Sequence, residues 1–244
     1  TYLAKYVEGT RQARKKYPRR VYIDLFCGPG RIQVKGEDRT RHGGAQIAWL
    51  HSKLDQASFT DCFVGDLDAE RASACERRLS ALGANVKSFA GPAETVVDQV
   101  IAALPKSSLS LVYLDPYNLQ YLSFSIIEKL ARLSKVDFAV HFSTMDLRRN
   151  VLMEFNPERA RFDAAAPGWR DHIDPIAFIR GDADEHAHVM EAVLHGLVGA
   201  QPRRALDGLQ VDRRHEADGA DVLDQRMALE REGRFGPHLL ELAG

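Results

Sequence analysis

The segment that most constrains the fold is an apolar run, residues 21–26, that breaks abruptly into Gly28-Pro29-Gly30. A run of this kind predicts a buried strand, and it carries a single acid, Asp24. Glycine in the turn lets the backbone approach a ligand at a distance where a Cβ atom would clash. The segment therefore indicates an α/β sheet that holds a nucleotide-like ligand at the end of its first strand.

Strands and helices alternate along the chain as far as residue 142. The predicted strands are 21–26, 61–66, 86–90, 109–114 and 137–142, and the predicted helices between them are 45–54, 69–82, 94–104 and 126–133. This alternation predicts a mostly parallel sheet with helices on both faces, which is a Rossmann-like α/β fold. In such sheets ligands bind outside the carboxyl ends of the strands.

The sequence divides into three predicted parts. Residues 1–20 form a basic N-terminal helix, residues 21–200 form the Rossmann-like domain with an insertion near 151–175, and residues 201–244 form a divergent tail. We find no convincing strand after Gln201, so the C-terminal part of the sheet is predicted to be divergent or incomplete. The cations of the first part are compatible with a solvated helix face or with a contact to phosphates.

Composition excludes several classes of protein. The net charge of −1 gives the whole molecule no attraction for nucleic acid, and no apolar run approaches the roughly 18 residues of a membrane span. The three cysteines form no Cys-x-x-Cys pair, which argues against zinc and disulfides and favours a cytoplasmic protein. Cys27 is either a nucleophile or a small packing residue. No cluster has the spacing of metal ligands, so we predict no metal site.

Two ligand classes compete for the glycine turn. A dinucleotide site requires a third glycine that leads directly into a helix whose N-terminus holds the pyrophosphate. Here Gln33 occupies that position, and a polar, basic loop at 31–42 precedes the next helix. S-adenosylmethionine (SAM) has no phosphate, and its cationic amino-acid end requires an acid and backbone acceptors. The candidate contacts at this turn are Asp24, Phe26, Gly28 and Gly30.

The next two strands offer partners for the rest of SAM. Asp66 ends the second predicted strand, where a carboxylate can accept both hydroxyl protons of a ribose. The alternative is that Asp66 caps the helix that follows. After the third strand, Pro92 has no backbone N–H to offer an adenine ring, which leaves the N–H of Ala93 as the candidate.

The fourth predicted strand ends in Asp115-Pro116-Tyr117, a sequence that suits a methyl acceptor with an amine. Asp115 can accept a hydrogen bond from the amine and so orient its lone pair, and the Pro116 carbonyl can accept the second N–H. Tyr117 can stack on a planar ring. These three residues are the candidate catalytic residues. The alternative is a plain turn in which Tyr117 packs into the core.

Five segments resemble the three-Cys-motif partner (TcmP) family, a bacterial branch of the class I SAM-dependent methyltransferase-like proteins. They are residues 22–31 (YIDLFCGPGR), 43–48 (GGAQIA), 64–68 (VGDLD), 114–117 (LDPY) and 146–150 (DLRRN). The resemblance implies a class I methyltransferase sheet, SAM as cofactor, and a genomic association with a radical-SAM-like protein that carries a three-cysteine motif. The Asp-Pro-Tyr segment is one proline shorter than the Asp-Pro-Pro-Tyr of enzymes that methylate amines in nucleic acids.

The leading hypothesis is a cytoplasmic SAM-dependent methyltransferase that acts on an amine in a nucleic acid. In it, Arg31, Lys35, Arg39 and Arg41 form a basic lid. A second hypothesis is a non-catalytic binding partner of the three-cysteine-motif protein, which the shortened acceptor motif and Pro92 favour. A third, a nicotinamide-dependent oxidoreductase, is disfavoured by the missing third glycine.

Overall fold

The computed structural model describes residues 2–36, 38–141, 162–168 and 209–212. The chain divides into two compact units. The first unit comprises Thr1–Asp115 and Lys129–Val140, and the second comprises Pro116–Glu128 and His141–Gly244. The first unit contains the predicted sheet and is described first.

The helices and strands follow the predicted alternation closely. The helices are α1 (Tyr2–Gly9), α2 (Arg11–Lys15), α3 (Gly44–Ser52), α4 (Ala69–Ala81), α5 (Ala93–Ala103), α6 (Phe124–Ala131) and α7 (Phe162–Ala165). The strands are β1 (Arg20–Asp24), β2 (Arg31–Gln33), β3 (Thr40–His42), β4 (Asp61–Asp66), β5 (Val86–Ala90), β6 (Leu109–Leu114), β7 (Val136–His141) and β8 (Leu209–Asp212). Short 3₁₀ helices lie at Leu54–Gln56 and Leu119–Tyr121.

The main sheet of the first unit is parallel, with its strands in the order β5-β4-β1-β6-β7. Its central strands are buried along almost their whole length, as expected for strands covered on both faces. The sequence prediction of a mostly parallel, Rossmann-like α/β sheet is therefore confirmed. In chain order, β4 and β5 lie on one side of β1, and β6 and β7 lie on the other side of β1.

Helices cover both faces of this sheet. On one face, alternate strand residues such as Tyr22, Val64 and Tyr113 share a single core cluster with residues of α1, α3 and α4. On the other face, α5 packs against β4 so closely that a Cβ added at Gly65 would lie 2.9 Å from Val96 Cγ1. The absence of a side chain at Gly65 therefore sets the distance between that helix and the sheet.

In place of the predicted loop at 31–42, β2 pairs with β3 in antiparallel register, so the prediction of a loop was wrong for these strands. Every residue of both strands is exposed. The sequence lacks the alternation of apolar and polar residues that marks a half-buried strand, because neither face of this hairpin packs on a core. We call the described residues of this hairpin, 31–36 and 38–42, the basic ribbon.

The basic N-terminal part contains two helices, α1 and α2, separated by Thr10. Its cations are mostly engaged within the protein. Arg14 is buried and donates to the carbonyls of Val7 and Ala57. Arg11 and Arg19 pair with acids, and Arg20 donates to two carbonyls. The alternative of a wholly solvated face is therefore wrong for Arg14, whereas contact with phosphates stays a prediction for the exposed Lys15 and Lys16.

The C-terminal part differs from its prediction in one respect. A strand, Leu209–Asp212, lies in the tail where we expected none. Its four residues alternate apolar and polar only twice, which is too short a pattern to separate from a loop. The other residues of 201–244 lie outside the described part, and of the predicted insertion near 151–175 only residues 162–168 are described. Among described residues, no helix is both long and apolar enough to cross a bilayer.

Candidate functional site

Three carboxylates lie at the carboxyl edge of the sheet, at the ends of neighbouring strands. Asp24 is the last residue of β1, and its register partners are Val64 on β4 and Tyr113 on β6. Asp66 and Asp115 each lie two residues beyond those partners. The three acids therefore form a row across the middle of the sheet. Because the chain leaves β1 toward β4 and returns at β6, this row lies at the topological switch point, where such sheets bind ligands.

Asp24 is placed beneath the glycine turn and is only 2% exposed. Its Oδ1 accepts a hydrogen bond from the Phe26 N–H at 3.0 Å, and its Oδ2 accepts one from the Tyr22 hydroxyl at 3.1 Å. Burial raises the pKa of Asp24 to about 7, and the charges of Asp115 and Asp66 contribute to the rise. Asp24 therefore holds the turn through these two hydrogen bonds, and it gains its full negative charge only above about pH 7.

Asp66 joins the end of β4 to the glycine turn. Its Oδ2 accepts from the Gly28 N–H at 3.0 Å, and its Oδ1 accepts from the Asp68 N–H at 2.9 Å. Asp68, not Asp66, caps α4, since its side chain accepts from the Glu70 and Arg71 N–H groups. Among the described residues these two donors are its only partners, so each oxygen of Asp66 retains a lone pair. That is the capacity a ribose diol requires.

The glycine turn is held open by its packing. Gly28 and Gly30 have φ values of +55° and +78°, a region that residues with a Cβ adopt at a cost. A Cβ at Gly30 would lie 3.3 Å from Cys75 Sγ, whereas a Cβ at Gly28 would meet no described atom within 4 Å. The Gly28 side of the turn thus faces open space, where a ligand can contact the backbone.

Asp115 is positioned by a tyrosine from its own strand. The Tyr113 hydroxyl donates to Asp115 Oδ2 at 2.7 Å, just as Tyr22 donates to Asp24 on β1. Sequence reasoning missed both tyrosines because it treated them as apolar strand residues. The signal was present, since residues two apart on a strand lie on one face and Tyr-x-Asp therefore brings hydroxyl and carboxylate together.

The other predicted site residues have these places. Ala93 begins α5 directly after Pro92, and no described residue accepts a hydrogen bond from its N–H, as is usual in the first turn of a helix. Pro116 and Tyr117 belong to the second unit. Pro116 is buried, and Tyr117 is 94% exposed, so the alternative in which its ring packs into the core is wrong.

Cys27 behaves as a packing residue of the turn. Its thiol is buried and donates to the Gly28 carbonyl at 3.3 Å. A hydrogen bond with Cys75 and burial raise the pKa of Cys27 far above its usual range, which suppresses the nucleophilic thiolate. All three cysteines of the chain are free and buried. Of the two roles considered for Cys27, the packing residue is therefore preferred over the nucleophile.

The arrangement favours a cationic ligand and opposes a pyrophosphate. Asp24 and Asp66 contact the turn, and Asp115 lies near enough for its charge to raise the pKa of Asp24. The charges of these carboxylates would repel a phosphate and attract an ammonium or sulfonium group. Among the described residues, no three His, Cys, Asp or Glu side chains are grouped so as to hold a metal ion. The residues present therefore fit SAM, with a cationic end at the turn and a diol at Asp66.

The chain matches no family model, no curated protein and no solved structure. The function is accordingly inferred from the geometry and electrostatics of this sheet edge.

Replacing Asp24 by asparagine should change how stability depends on pH. The folded-state pKa of Asp24 is raised to about 7, so the folded protein holds a proton that the unfolded chain releases from about pH 4 upward. The free energy of unfolding of the wild type should therefore fall as the pH rises from 4 to 7. The Asp24→Asn variant has no proton to release at this position and should not show this fall. We expect Asp24→Asn to be more stable by up to about 4 kcal/mol at pH 8 and equal at pH 4. Urea unfolding at both pH values measures this, and equal differences at both would contradict it.

Replacing Gly28 by alanine should weaken SAM binding without unfolding the protein. The added methyl group would project into the open space before the turn, and the positive φ adds a strain of about 1–2 kcal/mol. Gly83 is a matched control, because it has a φ of +86° and equal space but follows α4. We expect at least a tenfold loss of affinity in Gly28→Ala, none in Gly83→Ala, and similar losses of stability in both. Equal SAM affinity in the two variants would count against a ligand at the turn.

Proposed function

We propose that this chain is a SAM-dependent methyltransferase that acts on an amine nitrogen, most simply that of a nucleic-acid base. The observation that carries the proposal is the row of three carboxylates beside an open glycine turn at the switch point of a parallel sheet. The resemblance to the TcmP family supports the same cofactor. The missing third glycine and the negative charge disfavour a nicotinamide dinucleotide.

The cofactor would be held by the first two strand ends. Asp24 and the backbone of Phe26, Gly28 and Gly30 would bind its cationic amino-acid end, and Asp66 would bind its ribose hydroxyls. The Ala93 N–H is available to the adenine ring. When bound, SAM supplies a methyl group on a positively charged sulfur, and the electron pair of the broken bond remains on that sulfur.

Asp115 would prepare the acceptor. Its carboxylate, held by the Tyr113 hydroxyl, accepts an N–H of the incoming amine and directs the nitrogen lone pair toward the methyl group. The lone pair forms the new C–N bond, and the surplus proton of the nitrogen passes to the carboxylate or to water. Such a displacement depends on alignment and on charge complementarity more than on covalent chemistry by the protein. Pro116 and Tyr117 follow Asp115 directly in sequence and remain the other two candidate acceptor residues.

The proposal is tested by transfer of a tritiated methyl group from SAM to single-stranded DNA, single-stranded RNA and a mixture of small amines. We expect label on at least one acceptor and release of S-adenosylhomocysteine in equal amount. SAM binding with no transfer to any acceptor would favour the non-catalytic alternative, a methyltransferase-like binding partner of a three-cysteine-motif radical-SAM-like protein. Co-purification with such a protein would then be the supporting result.

A further inference from the structure

The basic ribbon is exposed on both faces. Its strands pair Arg31 with His42, Ile32 with Arg41 and Gln33 with Thr40, and none of these residues is buried. Ile32, a large apolar side chain, is 54% exposed. An isolated two-stranded ribbon is marginally stable and buries little surface. Packing in the core therefore does not explain why these side chains are basic.

Three cations of the ribbon, Arg31, Lys35 and Arg39, form no ion pair with a described residue. Arg31 donates to the Thr40 hydroxyl at 3.1 Å, which leaves its charge in place. Neither Lys35 nor Arg39 forms an ion pair with any described residue, and both are exposed. This differs from the N-terminal cluster, where Arg11 and Arg19 are paired with acids. The segment 31–42 carries four cations, Arg31, Lys35, Arg39 and Arg41, and two acids, Glu37 and Asp38, so it has an excess of positive charge in a chain whose net charge is −1.

The ribbon is attached at both ends to the candidate site. The Gly43 N–H donates to the Gly30 carbonyl at 2.9 Å, which closes the hairpin at the glycine turn. A Cβ at Gly44 would lie 2.8 Å from Tyr113 Cε1, so the start of α3 packs on the tyrosine that holds Asp115. The cations therefore lie on the segment that runs from the glycine turn to the start of α3. The glycine turn is the proposed cofactor site, and the start of α3 packs on Tyr113, which holds Asp115.

We propose that the basic ribbon binds the phosphodiester backbone of a single-stranded nucleic acid and so brings an amine-bearing base to Asp115; this inference rests on the proposed function. One guanidinium group can donate two parallel hydrogen bonds to the oxygens of a phosphate. Without such cations, the carboxylates Asp24, Asp66 and Asp115 would repel a polyanion. A base inside a duplex cannot reach a group at a sheet edge unless it is flipped out, whereas a single strand avoids that cost. A ribbon of three residue pairs is also short, as suits contact with a few phosphates.

The test compares two triple variants that lose equal charge. The ribbon variant is Arg31→Gln, Lys35→Gln and Arg39→Gln, and the control is Lys15→Gln, Lys16→Gln and Lys106→Gln, all exposed positions. Fluorescence anisotropy measures binding of labelled single-stranded DNA, single-stranded RNA, duplex DNA and polyglutamate at several salt concentrations. Loss of three phosphate contacts should lower the slope of log affinity against log salt by about 2. We expect this loss in the ribbon variant only, with single strands bound better than duplex or polyglutamate.

Equal binding by wild type and ribbon variant, equal loss in the control, or a preference for duplex or polyglutamate would overturn the proposal. Calorimetric titration with S-adenosylhomocysteine separates it from the proposed function. Unchanged binding in the ribbon variant is expected, and lost binding would show that the substitutions damaged the turn and would count against a separate role. If wild type binds single strands through the ribbon but does not bind S-adenosylhomocysteine, the methyltransferase proposal fails and the ribbon surface stands.

Discussion

The Asp66→Ala variant is expected to bind SAM and S-adenosylhomocysteine at least about 100-fold more weakly than wild type. The carboxylate would supply two charge-assisted hydrogen bonds to the ribose, each worth about 1.5–3 kcal/mol, and a 100-fold loss corresponds to about 2.7 kcal/mol. The same substitution removes the acceptor of the Gly28 N–H, which loosens the turn. Calorimetric titration measures the affinity, and thermal unfolding measures the accompanying loss of stability.

Asp68→Ala is the matched control for this effect. Asp68 lies two residues away and caps α4 through the Glu70 and Arg71 N–H groups. Its removal should cost about 1 kcal/mol of stability, as for other helix caps, and should leave the affinity for SAM unchanged. Comparable losses of affinity in both variants would mean that Asp66 acts through local stability rather than through contact with the ligand.

Replacing Asp115 by asparagine is expected to slow methyl transfer by about 10²–10³-fold. This is the usual effect of removing one preorganised group that stabilises the charge developing in a transition state. The affinity for SAM should stay within about twofold, because a methyl acceptor and the cofactor ribose occupy different strand ends. The Tyr113→Phe variant should lose less activity, since it removes only the hydrogen bond that positions the carboxylate. Single-turnover transfer of a labelled methyl group separates these effects.

Asp98→Asn serves as the control for removal of a carboxylate. Asp98 lies on α5 and forms an exposed pair with Lys129 at 2.8 Å, a kind of contact that contributes little to stability. Its transfer rate should equal that of wild type. A normal rate in Asp115→Asn would remove the proposed acceptor role, and an equal loss in Asp98→Asn would indicate a general effect of charge.

Sequence patterns predicted the five strands of the main sheet well, because most of their residues are apolar and the central strands are buried. Three of them, at 61–66, 86–90 and 109–114, have their predicted bounds. The polar residues that interrupt or end these runs, Asp24, Asp66 and Asp115, could be placed at one edge because parallel strands end on the same side. The pattern of strands therefore predicts the candidate site at this edge of the sheet.

The remaining features depend on contacts between separate segments of the chain, which the hydropathy pattern of one β-strand does not show. The basic ribbon has no apolar face, so its pairing has no signature in hydropathy. The burial of Arg14 follows from carbonyls supplied by α1 and by a loop 43 residues away. Whether Asp66 or Asp68 caps α4 depends on where the helix begins, and helix starts are uncertain by a residue or two in sequence analysis.

The central claim is that the glycine turn and its three carboxylates bind SAM and not a dinucleotide. The most direct test is calorimetric titration of wild-type protein with S-adenosylhomocysteine and, in parallel, with NADH. We expect saturable binding of S-adenosylhomocysteine at micromolar concentrations, equivalent to about 8 kcal/mol, and no measurable binding of NADH. Binding of NADH, or no binding of S-adenosylhomocysteine by a protein shown to be folded, would contradict the account.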